Sequence, residues 1–169
     1  MQADLRIETV SVMIKICYTF QELNTPALLE IYSESIERRR LSEGISRFQA
    51  EDEFVDYLKD DFFMAKGSFY AVLIMDQVPV CALRAEPWCD GLLLSGLETR
   101  PDSRGNGFAT QLLQMTLAHI KETPAYVHVH KKNAKSLAVH KKCGFEITKD
   151  FARLLDGAVS GQYYTLVKM

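Results

Sequence analysis

The stretch Thr99 to Ala109, read T-R-P-D-S-R-G-N-G-F-A, puts Arg104, Gly105 and Gly107 into one short loop. Ahead of it, Gly91 to Glu98 is an apolar run of strand length. Behind it, Thr110 to Lys121 has helical spacing: Leu112, Met115 and His119 share a face with Phe108, and Leu113, Leu117 and Ile120 widen it. A helix N-terminus carries unpaired N–H groups and a partial positive charge. Gly105 and Gly107 let the loop amides approach an anion with no Cβ in the way. Arg104 adds a permanent cation that can fork onto phosphate oxygens. The arrangement suits a pyrophosphate. It is not a Walker A loop, because no Gly-Lys-Ser/Thr follows. It is not a full G-x-G-x-x-G either, because position 110 is Thr. An ordinary tight turn before a helix would have the same glycine content, so the loop alone does not decide.

A second group follows. Ala125 to His130 reads as a strand, Asn133 caps a short helix over Ala134 to Cys143, and Gly144-Phe145 closes it. Together, L-E-T-R-P-D-S-R-G-N-G-F-A-T-Q-L-L and N-A-K-S-L-A-V-H-K-K-C-G-F-E resemble the GNAT superfamily of acyl-CoA-dependent N-acetyltransferases. The first resembles its R-x-x-G-x-G/A pyrophosphate motif, filled by Arg104, Gly107 and Ala109. The second resembles its N-x-x-A/S…Y-x-K-x-G-F segment, filled by Asn133, Ser136, Lys142, Gly144 and Phe145. The pair spans residues 91 to 146, about a third of the chain, and its order and separation are more specific than either motif alone.

The resemblance implies acetyl-CoA as co-substrate, a small-molecule or protein amine as acceptor, and direct transfer without a metal. It implies a cofactor site made by Leu97, Glu98, Thr99, Arg104, Gly105, Asn106, Gly107, Phe108, Ala109, Asn133, Ser136 and His140. Such transfer needs an unprotonated nitrogen close to the thioester carbon, and a backbone N–H to stabilise the oxyanion. A base removes the amine proton and an acid protonates the thiolate. The family's usual acid is the tyrosine of the second motif, and His140 stands at that position. Histidine donates protons near neutrality; alternatively His140 is a plain helix residue and the thiolate leaves to solvent. Glu98, the carboxylate nearest the end of the central strand, is the candidate base; its alternative is a salt bridge to Arg100 or Arg104. Glu86 and Asp90 are weaker candidates. The competing function is a CoA-binding sensor or interaction module that has lost catalysis. A nucleotide-binding regulator would need a base-recognition element, which the sequence lacks.

The elements that must position these residues are read in order. At 169 residues the chain suits one domain, expected as a monomer or homodimer. A formal net charge of −2 argues against a general nucleic-acid binder. No apolar run is long enough to span a bilayer, and the start lacks the basic-then-apolar order of a signal peptide. Cys17, Cys81, Cys89 and Cys143 form no C-x-x-C and read as reduced thiols in a cytoplasm. His128, His130 and His140 do not form a metal-like grouping. The lysines at 131, 132, 135, 141 and 142 read as mostly solvated.

Residues 1–12 read as a loose leader or an extension of the first strand, which is clear from Met13 to Tyr18. A helix follows with Thr25 as cap and Pro26 in the first turn, closing at Glu37 to Arg40. Leu41 to Gln49 reads as a loop, and a second helix runs from Ala50 to Ala65 with Glu51, Asp52 and Glu53 in its first turn. In a GNAT fold these helices border the acceptor entrance, which would bring Tyr32, Glu34, Arg39, Phe48 and Tyr57 near substrate; the alternative for each is an ordinary core or surface position. Strands follow over Phe69 to Met75 and Val78 to Glu86, joined by a hairpin at Asp76-Gln77. Glu146 to Leu155 and Gln162 to Lys168 are the last two. The pattern gives a mixed α/β sheet flanked by helices, in the order β-α-α-β-β-β-α-β-α-β-β; the resemblance implies that the sheet is GNAT-like and mostly antiparallel.

Overall fold

The computed structural model describes residues 10–169. The leader expected over residues 1–12 lies, up to residue 9, outside that range. Strand β1 (Val12–Cys17) is followed by three helices: α1 (Thr25–Ile31), α2 (Ser33–Glu43) and α3 (Arg47–Asp56). Strands β2 (Phe69–Met75), β3 (Val78–Trp88) and β4 (Gly91–Thr99) come next. Then come α4 (Phe108–Ile120), β5 (Ala125–His130), α5 (Ala134–Lys142) and β6 (Glu146–Lys149). Two short strands, β7 (Ala152–Arg153) and β8 (Val159–Ser160), precede β9 (Tyr163–Lys168).

The central sheet has the order β1-β2-β3-β4-β5-β9-β6. Its neighbours are antiparallel except β4 and β5. This is the mostly antiparallel, helix-flanked sheet that the family resemblance implies. Asp76 and Gln77 both take positive φ (46° and 69°), which makes the β2–β3 hairpin turn the right way for the strand twist.

Side chains alternate across the sheet and build a core on each face. Ala71, Leu73, Leu83 and Ala85 pack with Leu112, Leu113, Val127 and Leu166 beneath α4 and α5. Tyr70, Val72 and Ala82 pack with Leu28, Ile31, Ile36, Leu58 and Phe62 beneath the N-terminal helices. Burying each such Leu, Ile or Phe contributes about 1.5–3 kcal/mol, so both faces are held chiefly by apolar packing.

The N-terminal helices depart from expectation. Asn24, not Thr25, is the cap: its Oδ1 accepts from Ala27 N at 3.2 Å. The expected first helix is two, broken at Tyr32, and the second continues past Arg40 to a left-handed Gly44. The predicted loop therefore shrinks to residues 44–46. Ser46 Oγ accepts from Gln49 N at 3.0 Å and starts α3 three residues earlier than its acidic run suggests, so Glu51 to Glu53 lie mid-helix. Beyond Asp56 the chain continues as a π turn over Tyr57–Asp61 and a 3₁₀ turn over Phe62–Met64. The strand expected over Glu146 to Leu155 divides into β6 and β7, and β7 pairs with β8 in a separate ribbon. The strand expected to end at Glu86 runs on through Trp88 as β3.

Among the described residues no helix is long and apolar enough to cross a membrane. All four cysteines are unpaired: Cys17, Cys81 and Cys143 are buried and Cys89 is exposed.

Candidate active site

The site is created by an irregularity in β4. Its register with β3 runs Ala82↔Glu98 and then Arg84↔Ser95, so Gly96 and Leu97 together face Leu83. This is a β-bulge. Gly96 occupies it with φ +60°, a conformation that side chains resist. A glycine inside an apolar strand is the sequence signal for such a feature. Tyr32 OH donates to the Gly96 carbonyl at 2.5 Å. The peptide is planar and trans, so this turns the Leu97 N–H away from Tyr32.

β4 and β5 pair only at Leu92↔Ala125 and Leu93↔Tyr126. Beyond Leu93 the strands part. The opening is a cleft of about 180 Å³ lined by Gly96, Leu97 and Glu98 of β4, His128 of β5, and Ser136 and His140 of α5.

The loop before α4 lies at one side of this cleft's strand. Gly105 (φ 79°) and Gly107 (φ 77°) are left-handed, and a Cβ added at either would meet nothing within 4 Å. Gly107 is the N-cap of α4, with no side chain capping the helix. The N–H groups of Phe108, Ala109 and Thr110 therefore have no acceptor among the described residues. Asn106 Nδ2 donates to Ser103 O at 2.9 Å and braces the loop. Arg104 does not hold its fork free: Nη1 pairs with Glu34 Oε2 at 2.7 Å and Nε donates to Thr99 O at 3.2 Å. The pair is exposed and worth about 0–1 kcal/mol. Thr99 Oγ1 turns to Cys81 Sγ at 3.3 Å.

On α5, Asn133 Oδ1 accepts from Ser136 N at 3.1 Å, the cap that the sequence predicts. His140 is buried, 5% exposed, and meets Phe145 edge-on. Its Nδ1 lies 2.8 Å from the Ser136 carbonyl, so Nδ1 carries the proton. Burial lowers its pKa, although the Ser136 bond opposes this. In the neutral form so favoured, Nε2 is an acceptor and has no proton for a thiolate.

On the opposite face is a second cavity of about 200 Å³, lined by Tyr32, Ser35, Phe54, Arg84, Gly96 and Glu98 among others. Glu98 forms no salt bridge to Arg100 or Arg104, which corrects that alternative: Arg100 pairs with Glu30 and Asp102, and Arg104 with Glu34. Ser35 Oγ instead donates to Glu98, and Arg38 Nη2 donates to Ser35 Oγ at 2.8 Å. Burial raises the Glu98 pKa; the Ser35 hydrogen bond and then Arg38, Arg104 and Arg84 oppose the rise. Of the residues expected at the acceptor entrance, Tyr32 and Arg39 line this cavity and Tyr57 an adjoining one. Glu34 is bound to Arg104, and Phe48 is 76% exposed. Ser35 and Arg84 are not singled out by the sequence. His128 is noticed there only as a possible metal ligand, yet it lines the cleft and meets Trp88 edge-on at 5.6 Å. Among the described residues no group of three His, Cys, Asp or Glu side chains could hold a metal.

Two cavities, one on each face of the sheet, thus share a wall at Gly96 and Glu98. The left-handed glycine loop and the uncapped start of α4 follow on the strand that forms this wall. The chain belongs to the acetyltransferase (GNAT) family, whose profile matches residues 26–145. Solved structures agree in fold. An N-acetyltransferase from Staphylococcus aureus Mu50 is 14% identical, with TM-score 0.70, covering 92% of this chain and 100% of its own. An acetyltransferase from Thermus thermophilus is 21% identical, with TM-score 0.62, covering 95% and 96%. The PaiA N-acetyltransferase of Thermoplasma acidophilum, solved with coenzyme A, is 15% identical, with TM-score 0.58, covering 94% and 98%. Comparison with curated protein sequences gives no match.

Proposed function

We propose that this protein transfers an acetyl group from acetyl-CoA directly to the nitrogen of an amine. The observation that carries the reading is the shared wall: the cleft between β4 and β5 and the cavity beneath the N-terminal helices both reach Gly96 and Glu98. Acetyl-CoA enters with its pyrophosphate on the free amides of Phe108, Ala109 and Thr110, and its thioester reaches the bulge through the cleft. The acceptor nitrogen arrives from the other cavity. This brings the two reacting atoms together without a covalent enzyme intermediate.

Glu98 accepts the amine proton, directly or through one water. Its raised pKa makes it a stronger base than an exposed carboxylate. The Leu97 N–H stabilises the oxyanion. His140 takes a packing role, since its favoured form has no proton at Nε2. The thiolate then leaves to solvent along the cleft. The rival reading, a CoA-binding module without catalysis, would fit a closed acceptor side, and a cavity at Glu98 counts against it. We place the reaction in a reducing compartment, the cytoplasm, where four unpaired thiols persist. The test is an amine panel with acetyl-CoA, monitored for free thiol. Release that depends on an acceptor supports transfer, and tight CoA binding with no release from any amine refutes it.

A further inference from the structure

Arg84 sits in mid-β3 between Leu83 and Ala85, both core residues of the α4 face. Strand alternation turns Arg84 to the other face, with Ala82 and Glu86. Its Nε is buried without a hydrogen-bond partner, and so is Glu86 Oε1. Among the described residues the Arg84 guanidinium makes no ion pair. Its neighbours are mostly rings and backbone. Cζ lies 5.4 Å from the Tyr57 ring centroid. A Cβ built on Gly96 would lie 3.0 Å from Nε and 3.1 Å from Nη2, so the guanidinium packs directly on the bulge. Arg84 also lines both acceptor-side cavities. A permanent cation taken from water without a partner is costly, and a ligand that supplies the missing anion offsets the cost.

The surrounding charges narrow the ligand. Glu98 faces Ala82 across the ladder, two residues along β3 from Arg84, a spacing of about 7 Å. Glu86 lies two residues the other way. A phosphate dianion placed at Arg84 would meet two carboxylates. A single carboxylate matches the guanidinium fork and brings half the charge into that repulsion. An amine on the same molecule then reaches Glu98, and Tyr32, Ile36 and Phe54 present apolar surface to the remainder.

We infer that the acceptor is an amino acid or a close analogue: a zwitterion whose carboxylate binds Arg84 while its amine faces Glu98. The inference rests on the acetyl-transfer reading for the fate of the amine and on Arg84 for the carboxylate. The experiment compares phenylalanine with phenethylamine, leucine with isoamylamine, and alanine with ethylamine. Each is measured for thiol release and, with CoA present, for protection against thermal unfolding. The expected result is a kcat/KM preference of about tenfold or more for the acid in at least one pair, the size of a lost charged hydrogen-bond pair. That preference should collapse towards unity in Arg84→Gln. The same acid should raise the melting temperature of the wild type and not of Arg84→Gln. Arg84→Lys, which keeps the charge and loses the fork, should show an intermediate preference, and it serves in place of Arg84→Gln if the latter does not fold. Equal rates within every pair, a preference that survives Arg84→Gln, or equal protection by inorganic phosphate would each overturn the inference. If no amine releases thiol, acetyl transfer fails as a reading. Thermal protection then decides separately: Arg84-dependent protection by the acid upholds the carboxylate site, and its absence overturns it.

Discussion

The two faces of the sheet build their cavities in different ways. On the α4–α5 face, the residues proposed for the donor act largely through the backbone: open glycines, an uncapped helix start, an asparagine cap. On the face of the N-terminal helices, the site is built from side chains: Tyr32 on Gly96, Ser35 on Glu98, Arg84 beneath Tyr57. Backbone sites tolerate few changes in loop geometry but many in side chain. Side-chain sites are the reverse, and they are where acceptor specificity can change while the donor stays the same.

The largest break between the faces should come from Gly107→Val. A branched residue at φ +77° both strains the N-cap and occupies the open side of the cradle. Acetyl-CoA affinity by calorimetry should fall at least about a hundredfold, or about 2.7 kcal/mol, while circular dichroism stays native. Unchanged affinity would remove the loop from donor binding. The acceptor-face counterpart is Glu98→Gln. It should lower kcat by about 10²–10⁴-fold if Glu98 is the base, with acetyl-CoA affinity kept. It should also stabilise the fold at neutral pH. The folded pKa of Glu98 is raised, so the native state binds more protons than the unfolded chain between the ordinary carboxylate value and the raised one. Stability from this group falls as pH rises through that window, and Gln removes the fall. A wild-type-like melting curve at every pH would contradict the burial argument.

A finer test is Ser35→Ala. The Ser35 hydrogen bond favours the charged carboxylate, so its loss should move the acid limb of the kcat/KM profile to higher pH. An unmoved limb would assign that limb to another group. Asn133→Ala should cost about 1 kcal/mol in chemical denaturation from the lost cap. Any additional loss of CoA affinity would extend Asn133 from cap to ligand contact. The smallest effect on turnover is expected at His140→Phe. Its visible consequence should be in stability. The folded pKa of His140 is lowered, so the unfolded chain takes up its proton first as pH falls below the ordinary histidine value. Stability therefore drops on acidification in the wild type, and the Phe variant should drop less. A large loss of kcat in this variant would return the acid role to His140.

What the sequence determined by itself lies within short windows. Gly105, Gly107, Asn133 and the apolar faces of α4 and α5 are signals a few residues long, so the strand–loop–helix geometry that follows them is local. Short apolar runs bounded by turn signals placed β2 and β3, and the Asp76-Gln77 turn joined the pair. The N-terminal helices were legible as helices but not in their breaks. Asn24 takes the cap next to an equally suitable Thr25, and Tyr32 interrupts the helix as its hydroxyl reaches the Gly96 carbonyl. Tertiary structure alone decided the rest. The β4 bulge, the parting of β4 from β5, and the meeting of Tyr32, Ser35, Arg84 and Glu98 all depend on strand register. Those side chains come from α2, its preceding break and two strands, up to 66 positions apart, a separation read as 98 minus 32. Local propensity carries no information over such distances; packing of the helices on the sheet supplies it.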